Sequence, residues 1–373
     1  MTLSDAIAMQ EKAWVLVSKC RFAEALTALL RALASFEMLE GGASPDVANL
    51  LNDVAELENK LQRYAEALAH ARRSMAITDG LGRRFRGEDA VRIRARSRSI
   101  LGTVYRELGD YRNAEKYLKE ALRRNRSHFG EQHPETATSQ NNLAVVYKYA
   151  GRFTAGLALY RSALQNMRET YGEEALELSS IYHNIGGILH AAGRYEEALE
   201  PGYRAWEISI AHLGKEHPQS VADGAAYAGI LDGLRRYDES EPIYRHALRV
   251  FTTLYGPDHS EVAINLNNLA ALLAAQGKNR EAEEHYRRSI AIQKKLLGKS
   301  HPDVALALNN LGSLLLDEGR QDEAIRLYRR ALSIFEKTLR ARHPKLLSVR
   351  KNLETALRSR AQGDTVAFVL QER

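Results

Sequence analysis

The fold of this chain is decided by residues 302–339, which read PDVALALNNLGSLLLDEGRQDEAIRLYRRALSIFEKTL. Apolar residues recur at helical spacing on both sides of Gly319, so the segment predicts two amphipathic helices joined at a glycine. The same pattern stands 42 residues earlier, with Gly277 in place of Gly319 and Asn267 in place of Asn309. A fixed period of this length is typical of stacked helix pairs that share a continuous core. The sequence therefore predicts an all-α, right-handed superhelical solenoid.

The residue between the two helices of each pair marks the register. It recurs every 42 residues, apart from one interval of 47, at Cys20, Gln62, Gly109, Gly151, Gly193, Arg235, Gly277 and Gly319. We number the resulting pairs as repeats one to eight and name their helices A and B. They occupy about residues 2–40, 45–80, 90–129, 134–171, 176–213, 218–255, 260–297 and 302–340, and a capping helix at 344–360 and a C-terminal tail at 361–373 follow.

His-Pro dipeptides precede four of the predicted helices, at residues 133–134, 217–218, 301–302 and 343–344. Proline is favoured at the first position of a helix, because a backbone N–H at that position would have no acceptor within the helix. Histidines spaced along a solenoid cannot converge on one ion, so we expect no metal site and no cofactor.

The pattern resembles the tetratricopeptide repeat (TPR), in the 42-residue form typical of kinesin light chains and many bacterial relatives. The residues that carry the resemblance are His301–Ala305, Asn309–Leu311, Gly319, Glu323–Ala324 and Tyr328, and the resemblance covers about residues 2–340. It implies the helix-pair fold and a concave groove that binds peptides. The chain lacks the long heptad segment through which motor light chains dimerise, so a motor role is not implied.

Composition narrows the class of protein further. The formal net charge is +6, Cys20 is the one cysteine, and neither an N-terminal apolar segment nor a long apolar run occurs. These features predict a cytoplasmic protein without disulfides or a membrane span. We found no phosphate-binding glycine loop, HExxH motif, paired-cysteine site or nucleophile elbow, so we do not expect an enzyme.

Two places depart from the regular repeat. The interval of 47 places five extra residues near Gly80–Asp89, which predicts a longer and looser link between repeats two and three. Helix B of repeats five and six contains Pro201 and Pro242, which predicts a soft point at 200–242 that divides the solenoid into two rigid segments. Repeat decay without mechanical meaning explains the prolines equally well.

The candidate site follows from the resemblance, because helix A lines the concave face in the TPR family. Carried over by register, that face holds Arg96, Ser99, Arg106, Thr138, Asn141, Asn142, Lys148, His183, Asn184, His190, Asn267, Asn268, Asn309 and Asn310. Asparagine is a poor helix former, so the recurring pairs need a reason. Each amide can bond the backbone of an extended peptide or a neighbouring helix. We expect both, with the second asparagine of each pair facing the ligand.

Arginines concentrate between Arg83 and Arg98, where seven of them stand against two acids and give a net charge of +5. This favours an acidic peptide as the ligand, although a solvated charged face has the same composition. Arg98 also takes a position held by Leu266 and Leu308 in later repeats. Either its helix packs poorly, or the inserted loop shields the charge.

The predicted function is a non-catalytic adaptor or scaffold that binds an extended, acidic peptide segment of a protein partner. One alternative is a regulatory sensor whose solenoid responds to the peptide. The other is nucleic-acid binding through the cluster Arg83–Arg98, which steep salt dependence would identify. The apolar tail residues Val366–Leu370 are predicted to pack on the last helix, or to dock on a partner or a second copy of the chain.

Overall fold

The protein is described from a computed structural model, which covers residues 2–18, 21–339, 341 and 343–371, with the backbone alone at residues 18 and 362–371. Its helices form eight A/B pairs and a final helix. They are α1 (Leu3–Ser18), α2 (Phe22–Glu40), α3 (Pro45–Lys60), α4 (Tyr64–Gly80), α5 (Glu88–Glu107), α6 (Tyr111–Phe129), α7 (Pro134–Tyr149), α8 (Phe153–Tyr171), α9 (Glu177–Ala191), α10 (Tyr195–Leu213), α11 (Pro218–Gly233), α12 (Tyr237–Tyr255), α13 (Ser260–Ala275), α14 (Asn279–Leu297), α15 (Pro302–Asp317), α16 (Gln321–Thr338) and α17 (Pro344–Gln371). A short 3-10 turn, Gly82–Arg84, lies between α4 and α5. The part of the chain just listed contains no strand, so the all-α prediction is confirmed.

The last helix is longer than the sequence predicts. α17 continues to Gln371, past residue 360 where we expected the capping helix to end. Residues 361–371 contain no proline and a single glycine, so no strong helix breaker interrupts them. The side chains of Val366–Leu370 and the predicted turn residue Cys20 lie outside the described residues.

Each described turn between helices A and B holds one residue in the left-handed region. The glycines there have φ values of 77° (Gly109), 70° (Gly151), 74° (Gly193), 77° (Gly277) and 78° (Gly319), and the same conformation occurs at Gln62 (61°) and Arg235 (60°). Glycine adopts this conformation without steric cost, whereas other residues do not. The turns follow the register predicted from the sequence.

The chain divides into two compact units, Met1–Val146 and Tyr147–Arg373, which we call unit 1 and unit 2. In unit 1, leucines of α2 and α3 form the first part of the core, with Leu29, Leu50 and Leu51 fully buried. Further along, Ala67 of α4 is also fully buried, and small residues of this kind let paired helices approach closely.

The inserted loop between repeats two and three is tied down, contrary to the expectation of a loose link. The Arg94 guanidinium donates to the backbone oxygens of Thr78 (2.7 Å), Gly82 (2.9 Å) and Phe85 (3.1 Å). Gly82 and Phe85 belong to the inserted segment and Thr78 to the last turns of α4, so one side chain ties the loop to that helix and satisfies three backbone acceptors.

Arg98 is buried in a position that leucine holds elsewhere, yet its charge is matched. Its Nη2 lies 2.9 Å from an Asp79 carboxylate oxygen, and its Nε lies 3.2 Å from Glu120. A third bond runs to the Arg94 carbonyl oxygen at 3.1 Å. The sequence left two explanations open. The structure supports shielding, but carboxylates of α4 and α6 supply it rather than the inserted loop.

Unit 2 contains the larger continuous core. Its fully buried aromatic residues include Tyr160, Tyr244, Phe251, Tyr328 and Phe335, which lie on the B helices. Both proline-containing helices, α10 and α12, are continuous. Residues 200–242 lie inside unit 2, so the division into two units falls well before the predicted soft point. Whether that region is mechanically soft stays a prediction.

Unit 2 also closes on itself, because the start of α17 meets the turn of repeat four. His343 Nε2 lies 2.8 Å from the backbone oxygen of Tyr149. A Cβ on Gly151 would stand 2.8 Å from Pro344 Cδ, so only glycine permits this approach. Burial lowers the pKa of His343, which favours its neutral form at this contact.

Candidate functional site

The predicted site residues of unit 1 are largely engaged within the chain. Arg96 donates to Glu56 at 2.9 and 2.7 Å and lies 2.7 Å from the buried carboxylate of Asp53. Arg106 is ion-paired with Glu107. Ser99 is half-buried and Thr138 is exposed. The two arginines are therefore already matched by acids of the same unit.

The first asparagine pair, Asn141 and Asn142, is half-buried on α7 and also belongs to unit 1. The remaining pairs belong to unit 2, where α9, α11, α13, α15 and α17 follow one another as the helices that carry the ladder register. Unit 2 is therefore the part of the chain in which several predicted site residues share one surface.

The asparagine ladder of unit 2 connects successive helices. Asn310 Nδ2 donates to Asn267 Oδ1 at 3.3 Å, and Asn352 Nδ2 donates to Asn309 Oδ1 at 2.9 Å. In both cases the residue at the second ladder position of one helix bonds the first asparagine of the preceding A helix. Asparagines therefore bond neighbouring helices, as expected, but Asn310, the second of its pair, takes part in such a bond, although the second asparagine was expected to face the ligand. The ligand role of these amides stays a prediction.

The ladder is interrupted at repeat six, and a hollow of about 540 Å³ lies there. On α11 the two ladder positions are Ala225 and Ala226, and one turn further on stands Gly229. These residues offer nothing beyond a Cβ, so the surface recedes between α9 and α13. The hollow is bordered by Lys148, His183, His190, Asp232, Asn267, Asn268 and Asn310.

Ionisable groups converge on this hollow. The Lys148 ammonium lies against α9, where a Cβ on Gly187 would be 3.1 Å from its Nζ. Restricted hydration within the groove, together with Lys148, lowers the pKa of His190. Burial raises the pKa of Asp232 to about 6, although Ser240 and Tyr244 both bond its carboxylate. The hollow thus presents cationic and acidic groups side by side.

His183 is held in place by a neighbouring helix. Its Nδ1 lies 2.7 Å from Asp223 Oδ1, and the other oxygen of that buried carboxylate accepts from Ser179 Oγ at 3.1 Å. A carboxylate that bonds one ring nitrogen fixes the orientation of the imidazole, so the other nitrogen is presented in a defined direction. The described residues contain no group of three potential metal ligands.

The comparison with protein families agrees with this arrangement. The model described as tetratricopeptide repeat matches residues 5–79, 93–155, 136–211, 221–295, 262–337 and 303–365. The chain belongs to the tetratricopeptide repeat family. No curated protein sequence matches it.

Solved TPR structures share its fold. A Rap protein complexed with competence and sporulation factor is similar over 96% of this chain and 99% of its own, with TM-score 0.62 and 15% identity. The apo quorum sensor NprR from B. thuringiensis covers 81% of this chain and 80% of its own, with TM-score 0.50 and 16% identity. BtubC (BKLC) from P. vanneervenii covers 62% and 91%, with TM-score 0.44 and 23% identity. At these identities the likeness to the Rap protein and to NprR establishes the fold alone.

Sequence reasoning missed the acidic side of the TPR groove. Asp232 takes the repeat position of Lys148 and His190, and Asp223 stands one turn before Ala226. The period of 42 offered the signal for Asp232, because one repeat carries an acid where two others carry a basic or imidazole side chain. Asp223 gave no such signal, since its role depends on a contact between two helices.

Proposed function

We propose that unit 2 binds an extended polypeptide segment in its groove, with one bulky side chain of the segment in the hollow of repeat six. The proposal rests on one observation: the hollow lies at the repeat where the asparagine ladder is interrupted. Helices α13, α15 and α17 present linked amides, whereas α11 presents only Ala225 and Ala226. Amides suit a peptide backbone, and a recess between them suits a side chain.

We further propose that the segment carries a carboxylate near the hollow. Lys148, His183 and His190 border it and can receive an anion. Asp232 lies on the same border, so a uniformly acidic segment would meet repulsion there. The ligand that fits is a segment with a localised acidic group beside an apolar residue, and the protein acts as a non-catalytic cytoplasmic adaptor for it.

Four of the seven arginines between Arg83 and Arg98 are engaged inside unit 1 and lend no support to the nucleic-acid alternative, whereas Arg83, Arg84 and Arg86 are exposed. Arg94, Arg96 and Arg98 are held by carbonyls and carboxylates of unit 1. Arg92 lies 2.6 Å from Glu88 and 3.6 Å from Glu135. Phosphate contacts by these side chains would require breaking the internal bonds first.

The test compares partners captured from native lysate by the wild type and by two groove variants. Ala226→Asn introduces the asparagine found at the equivalent positions of later repeats, Asn268 and Asn310. The fold therefore accommodates the substitution, and the volume of the hollow is reduced. Asn268→Ala removes one amide. Both variants should lose the same protein, and a synthetic peptide from that protein should bind each about fivefold to tenfold more weakly.

The matched control is Arg280→Ala, because that side chain is 95% exposed on α14. It should retain the partner. If both groove variants retain every protein that the wild type captures, the groove is not the binding surface. If nucleic acid is captured instead and moderate salt removes it, the proposal is wrong.

A further inference from the structure

A second cavity lies in unit 2 outside the groove, and the peptide proposal leaves it unexplained. It has a volume of about 620 Å³ and lies between α10, α11 and α12. We call it the outer cavity. Its walls include Tyr203, Trp206, Ile210, Gly224, Ile243 and His246. This size and apolar character are typical of sites for small molecules.

The cavity lies where a small residue on α11 faces a large one on α10, a combination that the later repeats lack. Gly224 takes the position of Leu266 and Leu308, both of which are buried. A Cβ on Gly224 would stand 2.8 Å from Trp206 Nε1, so the glycine makes room for the indole. The indole and Gly224 together border the outer cavity, so open space remains beside them. An apolar void forfeits packing contacts, and a ligand that fills it recovers them.

The mouth of the outer cavity is also unusual within the chain. Tyr203 is 47% exposed, and the equivalent residues of the other repeats in unit 2 are Arg161, Arg245, Arg287 and Arg329. Ile210 likewise replaces Arg168, Thr252, Lys294 and Glu336. Charged side chains normally cover this helix face, so the apolar residues at one repeat mark a specific contact surface.

Most charges around the mouth lie close to a group of opposite charge. Arg204 lies 2.7 Å from Glu174 and 2.6 Å from Glu207. Glu216 lies 3.7 Å from His246 Nε2, and its chain neighbour Lys215 carries the opposite charge. A charged ligand would have to displace a matched partner or enter an apolar cavity unpaired, and both are costly. The site therefore complements an uncharged ligand.

We propose that the outer cavity binds an uncharged, ring-sized apolar molecule that rests against Trp206. The site is distinct from the groove, because Ala225, Ala226 and the ladder asparagines take no part in its walls. The proposal therefore does not depend on peptide binding, and either one can fail alone.

The two tryptophans of the chain permit a direct test. Trp14→Phe in the full-length protein leaves Trp206 as the remaining tryptophan, and its emission then reports on the outer cavity. The probes are adamantanemethanol, adamantane carboxylate and adamantanemethylammonium, which share one apolar body and differ in the charge of the head group. None of them absorbs where tryptophan is excited. We expect the alcohol to shift the Trp206 emission saturably to shorter wavelength, and the charged probes to bind at least about tenfold more weakly.

The matched variant restores the residues of repeat seven. Tyr203→Arg with Ile210→Lys copies the side chains at Arg287 and Lys294, so folding is preserved, and circular dichroism checks this. Its affinity for the alcohol should fall at least about tenfold, whereas Ala226→Asn in the groove should leave that affinity unchanged. The proposal is overturned by an absent or unsaturable shift, by equal binding to the double variant, or by a charged probe that binds as tightly as the alcohol.

Discussion

Arg235 occupies a turn position at which glycine is the favoured residue. Its φ of 60° lies in the left-handed region, like that of Gly277 one repeat later. A side chain in this conformation crowds the following carbonyl oxygen, which costs about 1–2 kcal/mol. Arg235→Gly removes that strain but also increases the conformational freedom of the unfolded chain, which opposes the gain by about 0.5–1 kcal/mol. We expect the free energy of unfolding to rise by about 0.5–1 kcal/mol.

Gly277→Arg is the mirror experiment in the same unit. A Cβ at Gly277 would meet no heavy atom within 4 Å, so the substitution tests the backbone conformation without a packing change. It should lower the free energy of unfolding by about the amount that Arg235→Gly adds. Gln62→Gly provides the same test in unit 1, where φ is 61°.

The assay is equilibrium urea denaturation followed by circular dichroism, with the three variants measured beside the wild type. Two units can unfold separately, so the transitions are fitted without assuming a single step. A lower midpoint for Arg235→Gly, or an unchanged midpoint for Gly277→Arg, would show that these turns are not governed by backbone strain.

Three further predictions concern side chains, and denaturation measures each of them. Arg98→Ala should lower the free energy of unfolding by about 3 kcal/mol because it leaves a cavity. Arg98→Leu should lower it by less than about 1 kcal/mol, since leucine fills this position in later repeats and the half-exposed Asp79 and Glu120 can be hydrated. Equal losses for the two variants would refute the packing argument. Burial raises the pKa of Asp232 from 3.8 to about 6, so its ionisation opposes folding above that pH and the penalty disappears as the pH falls towards 4. Asp232→Asn should therefore stabilise the protein by about 1–2 kcal/mol at pH 8 and make little difference at pH 4, and a gain that is independent of pH would contradict this. Asn310→Ala should cost about 1 kcal/mol because it leaves the buried Asn267 oxygen without its donor, while the exposed control Arg280→Ala should cost nothing measurable.

The parts of the fold that repeat every 42 residues could be predicted from the sequence. The left-handed turns at Gly277 and Gly319 follow from spacing, as does a bond from a ladder asparagine to a neighbouring helix, although the sequence did not indicate that Asn310 would be its donor. The features that occur once could not. The bonds of Arg94 to Gly82 and Phe85 depend on a loop shape that occurs in this one repeat.

The candidate site divides in the same way. The interrupted ladder at Ala225 and Ala226 was visible in the sequence, because other repeats carry amides or imidazole there. That the interruption forms a hollow could not be predicted, since its volume depends on how α9 and α13 stand on either side of α11. The role of Asp223 in orienting His183 likewise depends on the separation of two helices, which the period does not specify.

The bond from His343 to Tyr149 joins residues 194 positions apart and has a consequence for cooperativity. In an open array of repeats each unit contacts only its neighbours, so the end repeats unfold first and independently. In unit 2 the capping helix and the first turn hold each other, and loss of either exposes the other. Because so large a loop closes late, we expect this contact to form late in the folding of unit 2. We expect unit 2 to unfold in one cooperative transition, rather than by sequential loss of helices from its end.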